Sequence, residues 1–400
     1  MMSYNTGALS DLKVLDFTTL LPGPYATLML ADLGAQVLKV ASGSRPDIVA
    51  DYPPMVENTG ISANQAWLGR NKRSMFLNLK TPEAVHMIKQ LIMEYDIVIE
   101  QFRPGVMDRL GLGYEDLKAV NPRVIYCSLT GYGQDGPLSH RAGHDINYLA
   151  RSGNMAYSGR ETTGPVLTNM QIADLSVGSM NSVVGILAAV HHRTVTGEGQ
   201  WVDVAMYDGL IPFNAMDGTA FLASGERPTR EGTRLNGGCL YDFYETADGE
   251  YMSVGSLEPQ FWAGFCECMG RPDWVEKTVW PEDVAAVKAE ARAIFRTRTQ
   301  DEWQAIFGPV DVCVEPVLSL PDALLTDAHV KARQMVVEVA MPEHPEVRLK
   351  QLGCPIKLSA CPVSYTEGGR ALGAETQEVL KELGYSDTEI EDFTAKGVFN

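Results

Sequence analysis

The stretch "LKVLDFTTLLPGPYATLMLADLGAQVLKV", residues 12–40, contains the pattern that decides the fold. Its two short apolar runs, 12–17 and 35–40, are typical of buried strands. Residues 23–34 between them form a helical pattern that opens with Gly-Pro and closes with Gly. A strand, a helix and a second strand in this order predict a β-α-β unit with two parallel strands.

The same alternation continues to about residue 130. Residues 81–95 predict a helix with Thr81 as its N-cap, and 96–102 and 123–129 predict two more strands. Repeated β-α-β units indicate a Rossmann-like parallel sheet with helices on both faces. No Gly-x-Gly-x-x-Gly motif follows the first strand and no P-loop motif occurs, so a usual dinucleotide or NTP site is not supported.

The alternation of strand and helix patterns gives way to a different pattern in the middle of the chain. The segment "LYDFYETADGEYMSVGSL", residues 240–257, has two β-type runs joined by Asp-Gly, which favours a hairpin. We therefore predict an α/β protein with a large Rossmann-like domain, residues 1–224, and a smaller α+β domain, residues 225–325. Residues 326–400 end in a pair of amphipathic helical patterns and are predicted to complete the large domain.

The composition narrows the classes of partner. The 400 residues carry a net charge of −18, and such a surface repels phosphate backbones and anionic lipid, so we expect no nucleic acid or membrane partner. We see no apolar run long enough to span a bilayer. None of the seven Cys has the C-x-x-C spacing of a metal or redox site. These features predict a cytoplasmic protein without a metal.

Longer stretches of the chain resemble family III CoA-transferases, a superfamily that also contains the α-methylacyl-CoA racemases. The resemblance lies in residues 12–40 and in "RNKRSMFLNLK" (70–80), "EQFRPGVMDRLGLGYEDL" (100–117) and "NPRVIYCSLTGYGQDGPL" (121–138). The segments "AGHDINYL", "YDFYETADGEYMSVG" and "LEPQF" look more like the racemase branch. The resemblance implies an interlocked homodimer that binds CoA in a cleft near the subunit interface.

Inversion at the α-carbon of a thioester requires a group that removes the proton, a group that returns it and stabilisation of the enolate. A His and a carboxylate are a suitable pair of bases. The resemblance implies that His144 and Asp174 are these bases and that Glu258 orients His144. The residues alone leave other roles open, because a His between glycines is often structural and both carboxylates suit the start of a helix.

An acidic protein that binds CoA needs a local basic cluster for its phosphates. Residues 69–74 are interpreted as one short loop that carries three basic side chains. The resemblance implies CoA contacts at Arg70, Lys72, Arg73, Arg103, Arg109 and Asp145. A solvated basic surface remains the alternative for the basic residues, and bracing of the loop remains the alternative for Asp145.

The leading hypothesis from the sequence is a racemase or epimerase that inverts the α-carbon of a 2-methylacyl-CoA by 1,1-proton transfer. No cofactor is expected beyond the CoA of the substrate. The second hypothesis is a CoA-transferase in which Asp174 is a nucleophile and becomes an aspartyl-CoA thioester. A third is an acyl-CoA-binding protein without catalysis, which ranks last because the acid-base residues are all present.

Overall fold

The computed structural model describes residues 7–399. Its strands are β1 (Lys13–Asp16), β2 (Gln36–Ala41), β3 (Lys72–Phe76), β4 (Ile97–Glu100), β5 (Ile125–Thr130), β6 (Trp201–Ala205), β7 (Asp242–Glu245), β8 (Tyr251–Val254), β9 (Val314–Pro316), β10 (Val336–Ala340) and β11 (Arg348–Leu352).

The helices alternate with the strands in the first part of the chain, as the sequence predicts. They are α1 (Pro22–Asp32), α2 (Ala63–Leu68), α3 (Pro82–Leu91), α4 (Val106–Arg109), α5 (Tyr114–Lys118), α6 (Asp145–Arg151), α7 (Asn154–Tyr157), α8 (Met180–Thr196), α9 (Met206–Leu210), α10 (Ala215–Ser224), α11 (Pro259–Cys268), α12 (Val284–Phe295), α13 (Gln300–Phe307), α14 (Ala328–Ala332), α15 (Thr376–Glu382) and α16 (Asp387–Ala395). Two π-helical turns, Ile172–Ser179 and Asp322–Thr326, and two 3₁₀ turns, Pro212–Asn214 and Pro272–Trp274, complete the set for the described residues.

The central sheet confirms the prediction of a Rossmann-like arrangement. Its six strands are all parallel and lie in the order β3-β2-β1-β4-β5-β6. Val14 of β1 pairs with Val37 on one side and with Ile97 on the other, so the strand order reverses between β1 and β4. The crevice outside the carboxyl ends at such a reversal is the usual place for a ligand in an open α/β sheet.

The contacts divide the chain into two compact units. The first comprises the chain up to Leu149, Asn169–Ile211 and Ala328–Asn400, and the second comprises Ala150–Thr168 and Pro212–Asp327. The predicted domain boundaries at 225 and 326 stay predictions. The apolar residues of α15 and α16 join the core under the parallel sheet, and Ala328–Asn400 belongs to the first unit.

The second unit contains the predicted hairpin. Strands β7 and β8 pair antiparallel, with Asp242 opposite Val254, and β9 adds a third strand. Gly249 in the turn has a φ of +82°, which glycine adopts without a steric penalty. The core beside this sheet is aromatic: Trp303 and Phe307 are both buried, with ring centroids 5.5 Å apart. Buried aromatic rings of this kind contribute large apolar areas to the core of this unit.

The interpretation of residues 69–74 as one loop is wrong, because strand β3 begins at Lys72. Side chains alternate across a strand, so Lys72 and Arg73 point to opposite faces of the sheet. Lys72 is buried near Asp16, whereas Arg73 reaches Glu382 at 3.0 Å. A charged edge strand lacks the apolar run by which the other strands were recognised.

One helix among residues 7–399, Ile172–Thr196, is long and apolar enough to cross a membrane by length and composition. The expectation that the chain has no such run is therefore wrong by these two measures. The core helix of an α/β unit passes the same test, and this helix packs on β5, β6 and α1. Its side toward the sheet is apolar for packing, and Val, Ile, Leu and Ala residues account for its hydropathy.

Candidate active site

Tyr148 fixes the loop that leads from β5 to His144. Its hydroxyl donates a hydrogen bond to the carbonyl of Gly143 at 2.7 Å. A Cβ on Gly131 would lie 2.4 Å from the Tyr148 hydroxyl oxygen, and a Cβ on Gly143 would lie 2.7 Å from the ring. Both contacts are closer than Cβ atoms tolerate. The ring therefore occupies the space that a side chain at either glycine would need.

His144 occupies the position just before α6. Its carbonyl accepts from the backbone N–H groups of Asn147 at 2.8 Å and Tyr148 at 3.3 Å. Its own N–H donates to the side-chain oxygen of Asn147 at 2.9 Å, which closes the first turn of the helix. His144 is exposed. The backbone is thus held by local hydrogen bonds, and the residue is accessible to a substrate.

Asp174 lies on the π-helical turn Ile172–Ser179, which continues directly into α8. The turn packs against α1 and α9. Burial, with a smaller contribution from the nearby charge of Asp145, raises the pKa of Asp174 to about 7. A carboxyl group with this pKa takes up and releases a proton near neutral pH, as a general acid or base must. Isolated π-helical turns occur frequently at functional sites.

Asp145 connects the His144 loop to the Asp174 turn. Its Oδ1 accepts from the backbone N–H of Ala173 at 2.6 Å and from that of Asp174 at 3.2 Å. These bonds satisfy two N–H groups at the start of a helix, which have no intrahelical partner. They agree with a bracing role for Asp145. The implied contact of Asp145 with CoA stays a prediction.

Glu258 belongs to the second unit, whereas His144 and Asp174 belong to the first. Glu258 is the N-cap residue of α11, is exposed, and makes no side-chain hydrogen bond to that helix. Pro259 follows it at the first helical position. The orienting role of Glu258 toward His144 stays a prediction.

A buried cluster of charges lies where β1 and β2 end and β3 begins. The carboxylate of Asp16 lies 3.7 Å from Lys39 Nζ and 3.8 Å from Lys72 Nζ. Burial opposes ionisation of Asp16, but the two lysines and the hydroxyls of Thr18 and Thr27 outweigh it, and the pKa of Asp16 is lowered. Burial lowers the pKa of Lys72 to about 7. The cluster therefore gains or loses a proton at Lys72 near neutral pH.

The sequence analysis missed Asp16 and Lys39. The signal was a charged residue inside or at the end of an apolar strand pattern, in "KVLD" and "VLKV". Such a residue is rarely buried unless it is paired. Both strand patterns were predicted correctly, but sequence separation gave no reason to pair these residues with each other or with Lys72.

A small cavity of about 30 Å³ lies beside this cluster. Lys39, Lys72 and Arg370 are basic residues of its lining, and Asp47 is the acidic one; Arg73 also borders it, but its side chain pairs with Glu382. The excess of basic side chains contrasts with the acidic composition of the whole chain. This arrangement suits an anion such as a phosphate.

Arg70 lies apart from the cavity lining. It is 1% exposed, and its guanidinium binds Asp32, the side chain of Gln351 and the carbonyl of Leu352. The geometry gives Arg70 a structural role, and the implied CoA contact would require these bonds to break. Arg103 and Arg109 are exposed, and we find no ion pair for either within residues 7–399. Their CoA contacts stay predictions.

Metal binding has no support from the arrangement of side chains. Within residues 7–399, no group of three or more His, Cys, Asp and Glu side chains is placed to hold a metal ion.

Comparison with known proteins identifies the family. The model of CoA-transferase family III matches residues 9–376. The human α-methylacyl-CoA racemase is 34% identical over 390 residues, which cover 96% of this chain and 95% of that protein. The succinyl-CoA:mesaconate CoA-transferase of Haloarcula marismortui is 35% identical over 392 residues, with coverage of 94% and 97%.

The fold agrees with this result. A solved structure of a CAIB/BAIF family protein from Brucella suis has a TM-score of 0.80 and 29% identity, and the match covers 94% of this chain and 99% of that one. The resemblance seen in the sequence motifs is thus confirmed over nearly the whole length. The chain is an enzyme that belongs to CoA-transferase family III.

Proposed function

We propose that the protein is a racemase or epimerase that inverts the α-carbon of a 2-methylacyl-CoA. The observation that carries this proposal is the pKa of Asp174, which burial raises to about 7 in a turn tied to the His144 loop. A carboxyl group that is about half protonated at neutral pH is suited to exchanging protons with a weak carbon acid. The human racemase, at 34% identity, adds support.

In the proposed reaction one base removes the α-proton and the second delivers a proton to the opposite face. With His144 as the acceptor, the C–H electron pair moves into the enolate and Asp174 supplies its carboxyl proton to the α-carbon. The reverse reaction exchanges these roles. No electrons are gained or lost overall, so only the CoA thioester itself is required. The basic cavity beside Lys39 and Lys72 is proposed to receive a phosphate of CoA.

A CoA-transferase is the second candidate. A relative with this activity is 35% identical, a similar value to that of the racemase. In this reaction the Asp174 carboxylate attacks the thioester carbonyl and the CoA thiolate leaves; the thiolate then attacks the aspartyl carbonyl of the mixed anhydride, which releases the first acyl group as its free carboxylate and gives aspartyl-CoA. The acceptor carboxylate repeats the two steps in reverse and leaves as the new thioester, which restores Asp174. The attack requires ionised Asp174, whereas burial favours its protonated form. We therefore prefer proton transfer.

Deuterium exchange followed by NMR distinguishes the two reactions. The protein is incubated with one enantiomer of a 2-methylacyl-CoA in D₂O, without a free acid that accepts CoA. Deuterium at the α-carbon with loss of enantiomeric purity supports the racemase. Absence of exchange, together with CoA transfer to an added dicarboxylic acid, supports the transferase and overturns the proposal.

Two substitutions refine this test. Asp174→Asn removes the titrating carboxyl group with little change of shape, and His144→Gln removes the imidazole. We expect each to reduce exchange at least a hundredfold. His140→Gln is the matched control, because His140 is also an exposed histidine in the same loop and has no assigned role. Full activity of Asp174→Asn would contradict the mechanism.

We also propose that the protein works in the cytoplasm as a homodimer, the state implied by the family resemblance. Helix α10 supports an oligomer, since none of its ten residues is buried although it carries Phe221 and Leu222. Leu222 is 83% exposed. Exposed apolar side chains grouped on one helix commonly mark a protein interface.

A further inference from the structure

The carboxylate of Asp145 holds the backbone that carries Asp174. One of its oxygens, Oδ1, accepts from two consecutive N–H groups, those of Ala173 and Asp174, at 2.6 and 3.2 Å. These groups lie at the start of the π-helical turn. A single acceptor that binds both groups restricts the peptide between them, and so restricts the direction of the Asp174 side chain.

The charge of Asp145 acts on Asp174 as well. Two carboxylates at close range disfavour each other's ionisation, and the charge of Asp145 raises the pKa of Asp174 in addition to the effect of burial. Burial also raises the pKa of Asp145, despite its two hydrogen bonds from the backbone of Ala173 and Asp174.

Other titratable groups lie on the elements around the turn. Helix α1 carries Tyr25 and Asp32, and α9 carries Tyr207 and Asp208. Helix α8 carries His191, His192 and Arg193. His144 lies just before α6, and Tyr148 lies on that helix. Asp32 is paired with Arg70. Burial raises the pKa of Tyr148 to about 12, so this group is neutral at physiological pH. Asp145 is the group whose charge raises the pKa of Asp174.

We propose that Asp145 is a positioning residue that acts on Asp174 in two separable ways, through its hydrogen bonds to the turn and through its negative charge. The inference rests on the proposed function for its kinetic consequence only. The hydrogen bonds fix the geometry of the acid, and the charge sets the pH range in which Asp174 exchanges a proton.

Two substitutions separate these effects. Asp145→Asn keeps an oxygen that accepts both N–H groups and removes the charge, whereas Asp145→Ala removes both. The pKa of Asp174 is measured by NMR titration of the protein labelled with ¹³C at aspartate carboxyl carbons. The resonance is assigned by its disappearance in Asp174→Asn. This readout needs no substrate.

We expect Asp145→Asn to lower the pKa of Asp174 by roughly half a unit to one unit. Asp135→Asn removes an exposed carboxylate from the same segment between β5 and α6 and is the control, with no shift expected. An unchanged Asp174 pKa in Asp145→Asn overturns the electrostatic part of the proposal.

The kinetic experiment tests the geometric part. In Asp145→Asn the basic limb of the pH profile for deuterium exchange, which the protonated Asp174 sets when it delivers the proton, should move to lower pH by the same amount, with a maximum rate within about threefold of the original. In Asp145→Ala the maximum rate should fall at least tenfold, and Asn should rescue it. Equal losses in both variants at every pH overturn the positioning role. Absence of exchange in the unmodified protein, with the NMR shift present, refutes the proposed function and leaves the electrostatic inference standing.

Discussion

Arg70 and Asp32 form an ion pair in which neither side chain is more than 2% exposed, with Nη2 of Arg70 2.5 Å from Oδ2 of Asp32. The pair joins the end of α1 to the residues before β3. The same guanidinium also binds the carbonyl of Leu352 at the end of β11 and stacks over the ring of Tyr365, with 4.7 Å to its centroid. Three parts of the first unit that are distant in sequence therefore meet at one side chain.

Loss of Arg70 should destabilise the fold. Arg70→Met leaves the carboxylate of Asp32 buried without its partner, and we expect the free energy of unfolding to fall by about 3–5 kcal/mol. Urea unfolding measures this change. Arg103→Met, at an exposed position, is the control and should alter stability by less than about 0.5 kcal/mol. Normal stability with weakened CoA binding in Arg70→Met would instead support the CoA contact.

Gly143→Ala should disturb the His144 loop through Tyr148. The new Cβ would lie 2.7 Å from the ring, so the ring or the loop must move. We expect a loss of about 1–3 kcal/mol in stability and at least a tenfold fall in deuterium exchange. Gly255→Ala is a suitable control, since its Cβ would meet neighbours only at 3.5 Å or beyond. Equal stability and equal exchange rates in Gly143→Ala and Gly255→Ala would show that the loop accommodates the added methyl group.

The stability of Asp174→Asn relative to the unmodified protein should depend on pH. Burial raises the pKa of Asp174 from 3.8 to about 7. Between pH 4 and pH 7 the group is therefore mostly protonated in the folded state and ionised in the unfolded state. The contribution of Asp174 to the free energy of unfolding is fully present below pH 4 and is lost as the pH rises through 7. Asparagine avoids the cost of ionisation.

We therefore expect Asp174→Asn to gain about 1–2 kcal/mol over the unmodified protein between pH 4 and pH 8, after allowance for the partial exposure of this group. Urea unfolding at both pH values gives the difference. A difference that is constant with pH would show that Asp174 has an ordinary pKa.

Leu222→Lys should weaken the proposed homodimer. A charge replaces a side chain that is 83% exposed on α10, and burying that charge in an interface would be costly. We expect the dissociation constant to rise at least tenfold in sedimentation experiments. Met93→Lys, at a position 66% exposed, serves for comparison and should leave the assembly unchanged. A monomeric unmodified protein, or an unaffected Leu222→Lys dimer, would exclude this face.

The sequence predicted the parallel sheet because β1, β2, β4 and β5 are apolar runs separated by helical patterns. Thr81 was predicted as an N-cap, and its side chain accepts from the N–H of Ala84 at 3.3 Å. Strand β3 was missed because its alternating charges resemble a loop. The burial of Lys72 depends on Asp16, a residue of a different strand, and no local pattern contains that pairing.

The candidate site, like the fold, could be predicted from the sequence only in part. His144 and Asp174 were named from a resemblance, and the structure ties their segments together through Asp145. The hydrogen bonds of Asp145 were not predictable, because they span 28 and 29 residues and depend on the packing of two helix starts. The CoA contact of Arg70 was implied by the resemblance and by its place among basic residues, and no local pattern indicates its partner Asp32, which lies 38 residues away.

The packing of Tyr148 between Gly131 and Gly143 has a consequence for how this family member can change over generations. A side chain at either glycine is blocked while the ring is present, and loss of the ring leaves a void between two glycines. Substitutions at these three positions are therefore coupled, and their effects should not add. A smaller residue at 148 makes a side chain at either glycine less costly, so the cost of each mutation depends on the order in which the mutations accumulate.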